Sequence, residues 1–209
     1  MIIALMGAAG SGKDTVGRML VQRGMERISF GDAVYREVSE AFFVSEKMLR
    51  YRAWKEEPNP RLCLDLCHDA GYVGCMKKIL ESEITEPVEN ILRIPLSPRK
   101  ILQTWATEYK RSSDEDYWVR QVMDVIDRFP HKNWVITDLR FPNEWKSLSE
   151  RRAVCVLVQG RLSSNVSNHA SEQLYKTLQP DYVIDNSGDM LQLENQVQVI
   201  WNKCLETGY

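Results

Sequence analysis

Short apolar runs recur along the chain, separated by stretches with helical spacing. Ile2-Ile3-Ala4-Leu5-Met6 is unbroken by polar residues and reads as a strand buried on both faces. Thr15 to Arg23 reads as a helix, with Val16, Met19 and Leu20 on one stripe and Gly24 as its stop. Arg27-Ile28-Ser29-Phe30 reads as a second strand, and a helix follows with Val34, Val38, Ala41 and Phe42 at helical spacing. Further strands are expected at Trp134-Val135-Ile136-Thr137, from Ala153 to Val158, and at Tyr182-Val183-Ile184. A helix is expected from about Pro142, and a last one carries Leu191, Val197, Ile200 and Trp201. Strands alternating with helices predict an α/β fold, a doubly wound parallel sheet of about five strands with ligands at the carboxyl ends of those strands.

The middle of the chain breaks this rhythm. From Ser45 to about His131 the pattern is helical and more charged, interrupted by Pro58-Asn59-Pro60, Pro87 and Pro95. This predicts a core of residues 1–44 and 131–209 with an inserted helical lobe, residues 45–130. Within the lobe Ser97 reads as an N-cap before Pro98. Ile101, Leu102, Trp105 and Tyr109 then share one helical face, with Arg99, Gln103, Thr107 and Lys110 opposite. That polar stripe is either a solvated face or one that reads a base and a phosphate, and the Gln103 amide can pair with a base edge. A second helix is expected from near Ser113, with Asp114, Glu115 and Asp116 in its first turn and Trp118, Val122, Val125, Ile126 and Phe129 as its apolar stripe.

The chemistry gathers at strand ends. Gly7-Ala8-Ala9-Gly10-Ser11-Gly12-Lys13-Asp14-Thr15 follows the first strand with the spacing G-x-x-x-x-G-K of a phosphate-binding P-loop. Glycines let backbone N–H groups curl around a polyphosphate, and the helix that follows aims its positive end at the same anion. Lys13 adds a mobile charge for the outer phosphates. Gly10, Ser11, Gly12, Lys13, Asp14 and Thr15 are therefore the candidate ATP-binding residues, and the sheet is of the P-loop NTPase-like kind. Asp14 stands where Ser or Thr is usual, which displaces the Mg²⁺-binding hydroxyl to Thr15. This disfavours a switch GTPase and leaves small-molecule kinases. Asp138, at the end of an apolar strand, has the position of a Walker-B-type acid, able to hold Mg²⁺ or orient an acceptor, or simply to cap. Arg140 can bind a phosphate or pair with Glu144 as scaffolding. In the insert, Arg99 and Arg111 are candidates for the acceptor phosphate, and Trp118 either stacks on a base or packs in the core. The polar segment 160–172, with Arg161 and His169, reads as a lid over the donor phosphates.

Bulk properties narrow the field. A net charge of −2 over 209 residues argues against a dedicated nucleic-acid binder. No apolar stretch is long enough to span a membrane, and the first strand is too short for a signal peptide. With five cysteines, an odd count, a reducing cytoplasm is the expected compartment. Cys63, Cys67, His68 and Cys75 could complete a zinc tetrahedron, but cysteines spaced among Leu62, Leu64 and Leu66 fit core packing better.

Several segments together resemble one family. Ile28-Ser29-Phe30-Gly31-Asp32 resembles the segment after the second strand of adenylate-kinase-like nucleoside monophosphate kinases, except that Tyr35, not a basic residue, follows three positions after the Asp, with Arg36 next. Gly12-Lys13-Asp14-Thr15, Ser97-Pro98-Arg99, Thr107-Glu108, Asp116-Tyr117-Trp118-Val119, Thr137-Asp138-Leu139-Arg140-Phe141-Pro142-Asn143-Glu144 and His169-Ala170-Ser171-Glu172 look like the bacteriophage deoxynucleoside monophosphate kinases. Tyr182 to Gly188 is similar to that family and to dephospho-coenzyme A kinases. The resemblance implies ATP- and Mg²⁺-dependent phosphorylation of a deoxynucleoside monophosphate for DNA precursor synthesis, in the host cytoplasm if phage-encoded. It implies Gly12, Lys13 and Thr15 on the ATP phosphates, and Asp14 and Asp138 managing metal, water and acceptor. It implies Arg99, Gln103, Arg111 and Trp118 on the monophosphate, with Arg140 and Glu144 completing the site. The partners are then small-molecule nucleotides, with a homodimer suggested by analogy alone. Competing readings are a kinase of another small acceptor such as dephospho-coenzyme A, a non-catalytic ATP-binding regulator, and a nucleic-acid end kinase, which would need a basic channel.

Overall fold

Alternation along the first strand sets the architecture. In the computed structural model, which describes residues 1–83, 87–160 and 178–208, β1 (Ile2–Met6) is buried along its whole length. Ile2, Ala4 and Met6 enter one apolar cluster while Ile3 and Leu5 enter another, as the two-residue period of a strand requires. A strand apolar on both sides needs cover on both sides. On the first face α7 (Tyr117–Arg128) contributes Val119, Val122, Met123 and Ile126, and α8 (Pro142–Ser149) contributes Leu148. On the second, α1 (Lys13–Gln22) contributes Val16, Met19 and Leu20. Alongside it α9 (Met190–Glu206) adds Leu193, Val197, Ile200 and Cys204. The helices thus sandwich a five-stranded, wholly parallel sheet of order β2-β3-β1-β4-β5, with β2 at Glu26–Ile28, β3 at Trp134–Ile136, β4 at Val154–Gly160 and β5 at Tyr182–Asn186. This is the predicted doubly wound α/β fold. Strand order reverses about β1, so the loop at its carboxyl end occupies the switch point where such sheets bind ligands.

The chain forms two compact units, Met1–Phe30 with Val119–Tyr209, and Gly31–Trp118. The sheet lies in the first. The division falls inside α2 (Phe30–Phe42) and α7, so neither residue 45 nor residue 130 marks it. The second unit is built from the rest of α2 with α3 (Glu46–Arg50), α4 (Ala70–Glu83), α5 (Val88–Ile91) and α6 (Pro98–Thr104). Val38, Leu49, Leu62, Tyr72, Met76, Ile101 and Trp105 make its core. Ser97 caps α6 as expected, its hydroxyl accepting from the Lys100 N–H at 3.2 Å.

Two local expectations need correcting. α6 runs on as a π-helical segment, Trp105–Arg111, in which residues five apart come into line. Lys110 therefore joins the face of Trp105 and Tyr109 instead of opposing it. Its ammonium lies 5.4 Å and 4.5 Å from their ring centroids. The acidic run Asp114-Glu115-Asp116 is a turn ahead of α7, closed by the Tyr117 N–H donating to the Asp114 carbonyl at 3.1 Å.

Candidate active site

The loop between β1 and α1 is shaped by what its glycines leave out. Gly7, Gly10 and Gly12 all have positive φ, at 142°, 78° and 103°. A Cβ on Gly7 would stand 2.3 Å from the Val158 carbonyl oxygen, and one on Gly160 would stand 2.8 Å from that of Ser11. The loop is thus pressed against the end of β4 at distances that only glycine allows. Gly12 caps α1 through its carbonyl, which accepts from Thr15 and Val16. The N–H groups of Gly12 and Asp14 have no backbone acceptor among the described residues, which is the usual state of donors at a helix start. Lys13 Nζ donates to the carbonyls of Gly7 and Ala8, each at 2.8 Å, so its ammonium is folded over the loop. Ser11 is 1% exposed and its buried hydroxyl has no hydrogen-bond partner among the described residues. Asp14 is exposed, and the Thr15 hydroxyl accepts from Arg18 Nη2 at 3.3 Å.

Asp138 follows β3, the neighbour of β1. The Leu139 N–H donates to the Leu5 carbonyl at 3.2 Å, which ties this corner to the strand that carries the loop. The Phe30 N–H donates to Asp138 Oδ1 at 2.9 Å. A Cβ on Gly17 would come within 2.7 Å of the Thr137 methyl, so a glycine in α1 lets that helix close onto the end of β3. Arg140 is exposed and makes no ion pair among the described residues. Glu144 requires a correction. It is 1% exposed, and its Oε2 accepts from the N–H groups of Arg140 at 2.8 Å and Phe141 at 3.0 Å. It shapes the turn into α8 from within, as the N3 carboxylate half of a capping box does, and is not a surface offered to substrate.

The first unit therefore brings together Gly10 through Thr15, Asp138, Arg140 and Glu144. Arg99, Gln103, Arg111 and Trp118 belong to the second. There Gln103 is exposed, Arg99 pairs with Glu56, and Arg111 Nη1 donates to the Glu115 carbonyl at 3.4 Å. Trp118 also needs correcting as a base platform. Its indole is 1% exposed and donates to the Ala106 carbonyl at 3.1 Å, so both ring faces lie in the core. Arg161, His169 and the lid expected at 160–172 lie outside the described residues, apart from Gly160 at the end of β4.

The structure also shows groups that sequence reasoning missed. Asn186, last in β5, donates from Nδ2 to the Ser11 carbonyl at 2.9 Å. In the second unit Glu37 accepts from Trp105 Nε1 at 2.9 Å and from the Tyr117 hydroxyl at 2.7 Å, with Lys110 Nζ at 3.8 Å. Burial, and then the bond to Glu37, push the Tyr117 phenol up to about 12. Tyr109, half-buried and bonded to Asp69 at 2.8 Å, is likewise pushed up to about 12. Both donate as neutral phenols at ordinary pH. No spacing rule reports these contacts, because the partners are remote in sequence. Three of the cysteines donate to backbone carbonyls: Cys63 to those of Pro60 and Arg93, Cys67 to that of Asp69 and Cys75 to that of Glu108.

A glycine loop at the switch point, a lysine over it and an acid on the adjacent strand end define a P-loop phosphotransferase of the α/β class. Residues 62–197 match the family described as deoxynucleotide monophosphate kinase, and the chain belongs to that family. The deoxynucleoside-5'-monophosphate kinase of Escherichia phage T5 is 29% identical over 180 residues, 72% of each chain. A protein of Acanthamoeba polyphaga mimivirus is 23% identical over 214 residues, 94% of each chain. Among solved structures, a dephospho-CoA kinase from Campylobacter jejuni aligns over 100% of this chain and 98% of its own at 14% identity, with a TM-score of 0.48. No helix among the described residues is long and apolar enough to cross a membrane.

Proposed function

We propose that this kinase transfers the γ-phosphoryl group of ATP to the phosphate of a deoxynucleoside monophosphate, giving the diphosphate and ADP. An oxygen of the acceptor phosphate attacks the γ-phosphorus, and the bond to the β–γ bridging oxygen breaks. Such a transfer asks the protein for position and charge neutralisation rather than covalent chemistry. The observation that carries the reading is the loop itself. Gly7, Gly12 and Gly160 allow it to form, the Gly12 and Asp14 N–H groups have no backbone acceptor among the described residues, and Lys13 is folded over it.

The residues present also fit a divalent ion. Thr15 and Asp138 supply oxygen donors of the kind that Mg²⁺ takes, directly or through water. Bound there, Mg²⁺ would neutralise charge on the β- and γ-phosphate oxygens. In this reading Lys13 draws charge from the leaving bridge oxygen, Asp138 orients the acceptor side, and Arg140 contributes a second cation. Asp14 is exposed beside the phosphates and holds water there. Arg99, Gln103 and Arg111 take the monophosphate, with Gln103 on its base. Glu144 acts through the backbone of Arg140.

The test is ADP release from Mg-ATP, with the diphosphate identified as product, using each common deoxynucleoside monophosphate, AMP and dephospho-coenzyme A as acceptor. Turnover with at least one deoxynucleotide is expected. Turnover with dephospho-coenzyme A alone would transfer the site to another acceptor class.

A further inference from the structure

The far end of the sheet reaches back into the phosphate loop. Asn186 Nδ2 stands 2.9 Å from the Ser11 carbonyl oxygen, though 175 residues separate the two. The same nitrogen lies 2.2 Å from where a Cβ on Gly12 would be, so the amide fills the space that this glycine leaves. Asn186 is itself held firmly. It pairs with Gly160 in the β4–β5 register. Gln196 of α9 clamps the residue before it, accepting from the Asp185 N–H at 2.9 Å and donating to the Asp185 carbonyl at 2.8 Å. The Ser187 N–H then donates to Asp185 Oδ1 at 2.9 Å, which closes the turn.

This anchor has a directional consequence. The Ser11 carbonyl and the Gly12 N–H belong to one peptide plane, and no peptide bond in the described chain is cis. In a trans peptide the two groups point in opposite directions. Fixing the carbonyl toward Asn186 therefore turns the Gly12 N–H away from Asn186, where it meets no backbone acceptor among the described residues and stays available to an anion. Without the anchor that plane can rotate, because Gly12 has no side chain to hold it. We infer that Asn186 is a positioning residue for the donor nucleotide, one that sets phosphate affinity by fixing the orientation of the Ser11–Gly12 peptide. The inference rests on the P-loop reading above and concerns ATP, not the acceptor.

The experiment compares steady-state constants of wild type, Asn186→Ala and Asn186→Asp. Loss of one such hydrogen bond should raise the KM for ATP about tenfold in Asn186→Ala. The KM for the monophosphate should stay within about twofold, since a specific donor-side defect moves one constant and a general loss of structure moves both. Asn186→Asp should be worse, because it sets a carboxylate against the Ser11 carbonyl and close to the phosphates. If the Asn186 variants fold poorly, Gln196→Ala loosens the same turn from α9 and should raise the KM for ATP in the same sense. An unchanged KM for ATP in folded variants, or equal rises in both constants, would overturn the inference. A wild-type protein with no ATP-dependent turnover would overturn the P-loop reading first, and this inference with it.

Discussion

The phosphate loop of the first unit and the ion pairs of the second treat polar groups in opposite ways. In the first, the Gly12 and Asp14 N–H groups of the loop after β1 have no backbone acceptor among the described residues, and β4 and β5 pack closely against that loop. In the second, cations are matched with carboxylates of the same unit: Arg50 with Asp32 and Glu46, Arg99 with Glu56, Lys100 with Glu83 and Lys110 with Glu37. An anion reaching the loop meets donors already arranged for it. An anion reaching Arg99 must displace Glu56. Exposed ion pairs are individually worth about 0–1 kcal/mol, so that exchange is cheap, but it makes binding at the second unit sensitive to salt and to the charge of the displaced carboxylate. In the reading proposed above, preorganisation belongs to the donor side and exchange to the acceptor side.

Four substitutions break or sharpen this contrast. Lys13→Ala strikes the preorganised side and should lower kcat by about a hundredfold or more, with the thermal midpoint near that of wild type, because the Lys13 ammonium bonds the Gly7 and Ala8 carbonyls of its own loop. Rapid-quench or coupled-assay kinetics reads this directly. Glu144→Ala removes the acceptor for two backbone donors inside the first unit and should destabilise the protein by about 2 kcal/mol, measured by denaturant unfolding. Unaltered stability would mean that the Asp138 corner does not depend on its cap. Arg99→Ala strikes the exchanging side and should raise the KM for the monophosphate about tenfold while leaving that for ATP unchanged. Glu56→Gln sharpens the point. By releasing Arg99 it should lower the same constant.

Much of the first unit was legible in sequence because its signals are local. A continuous apolar run, a glycine spacing and an acid at a strand end each act within a few residues, and they located β1, the loop and Asp138. Asn186 escaped because its role is a contact made across the sheet, visible only once β4 and β5 are paired. The second unit was harder for a different reason. A period of 3.6 residues puts Lys110 on the face opposite Trp105, and it cannot foresee that the π-helical segment widens the turn. Trp118 and Glu144 show the limit of residue type as a guide. An indole and a carboxylate suited to binding are spent on the core and on a cap, and only burial tells the difference.

Calorimetric titration of Mg-ATP into wild type and Lys13→Ala, with no monophosphate present, addresses the prebuilt loop most directly. The account predicts saturable one-to-one binding in wild type, weakened at least about tenfold in the variant. Equal affinity in the two proteins would contradict it, because the nucleotide would then be held somewhere other than the loop over which Lys13 is folded.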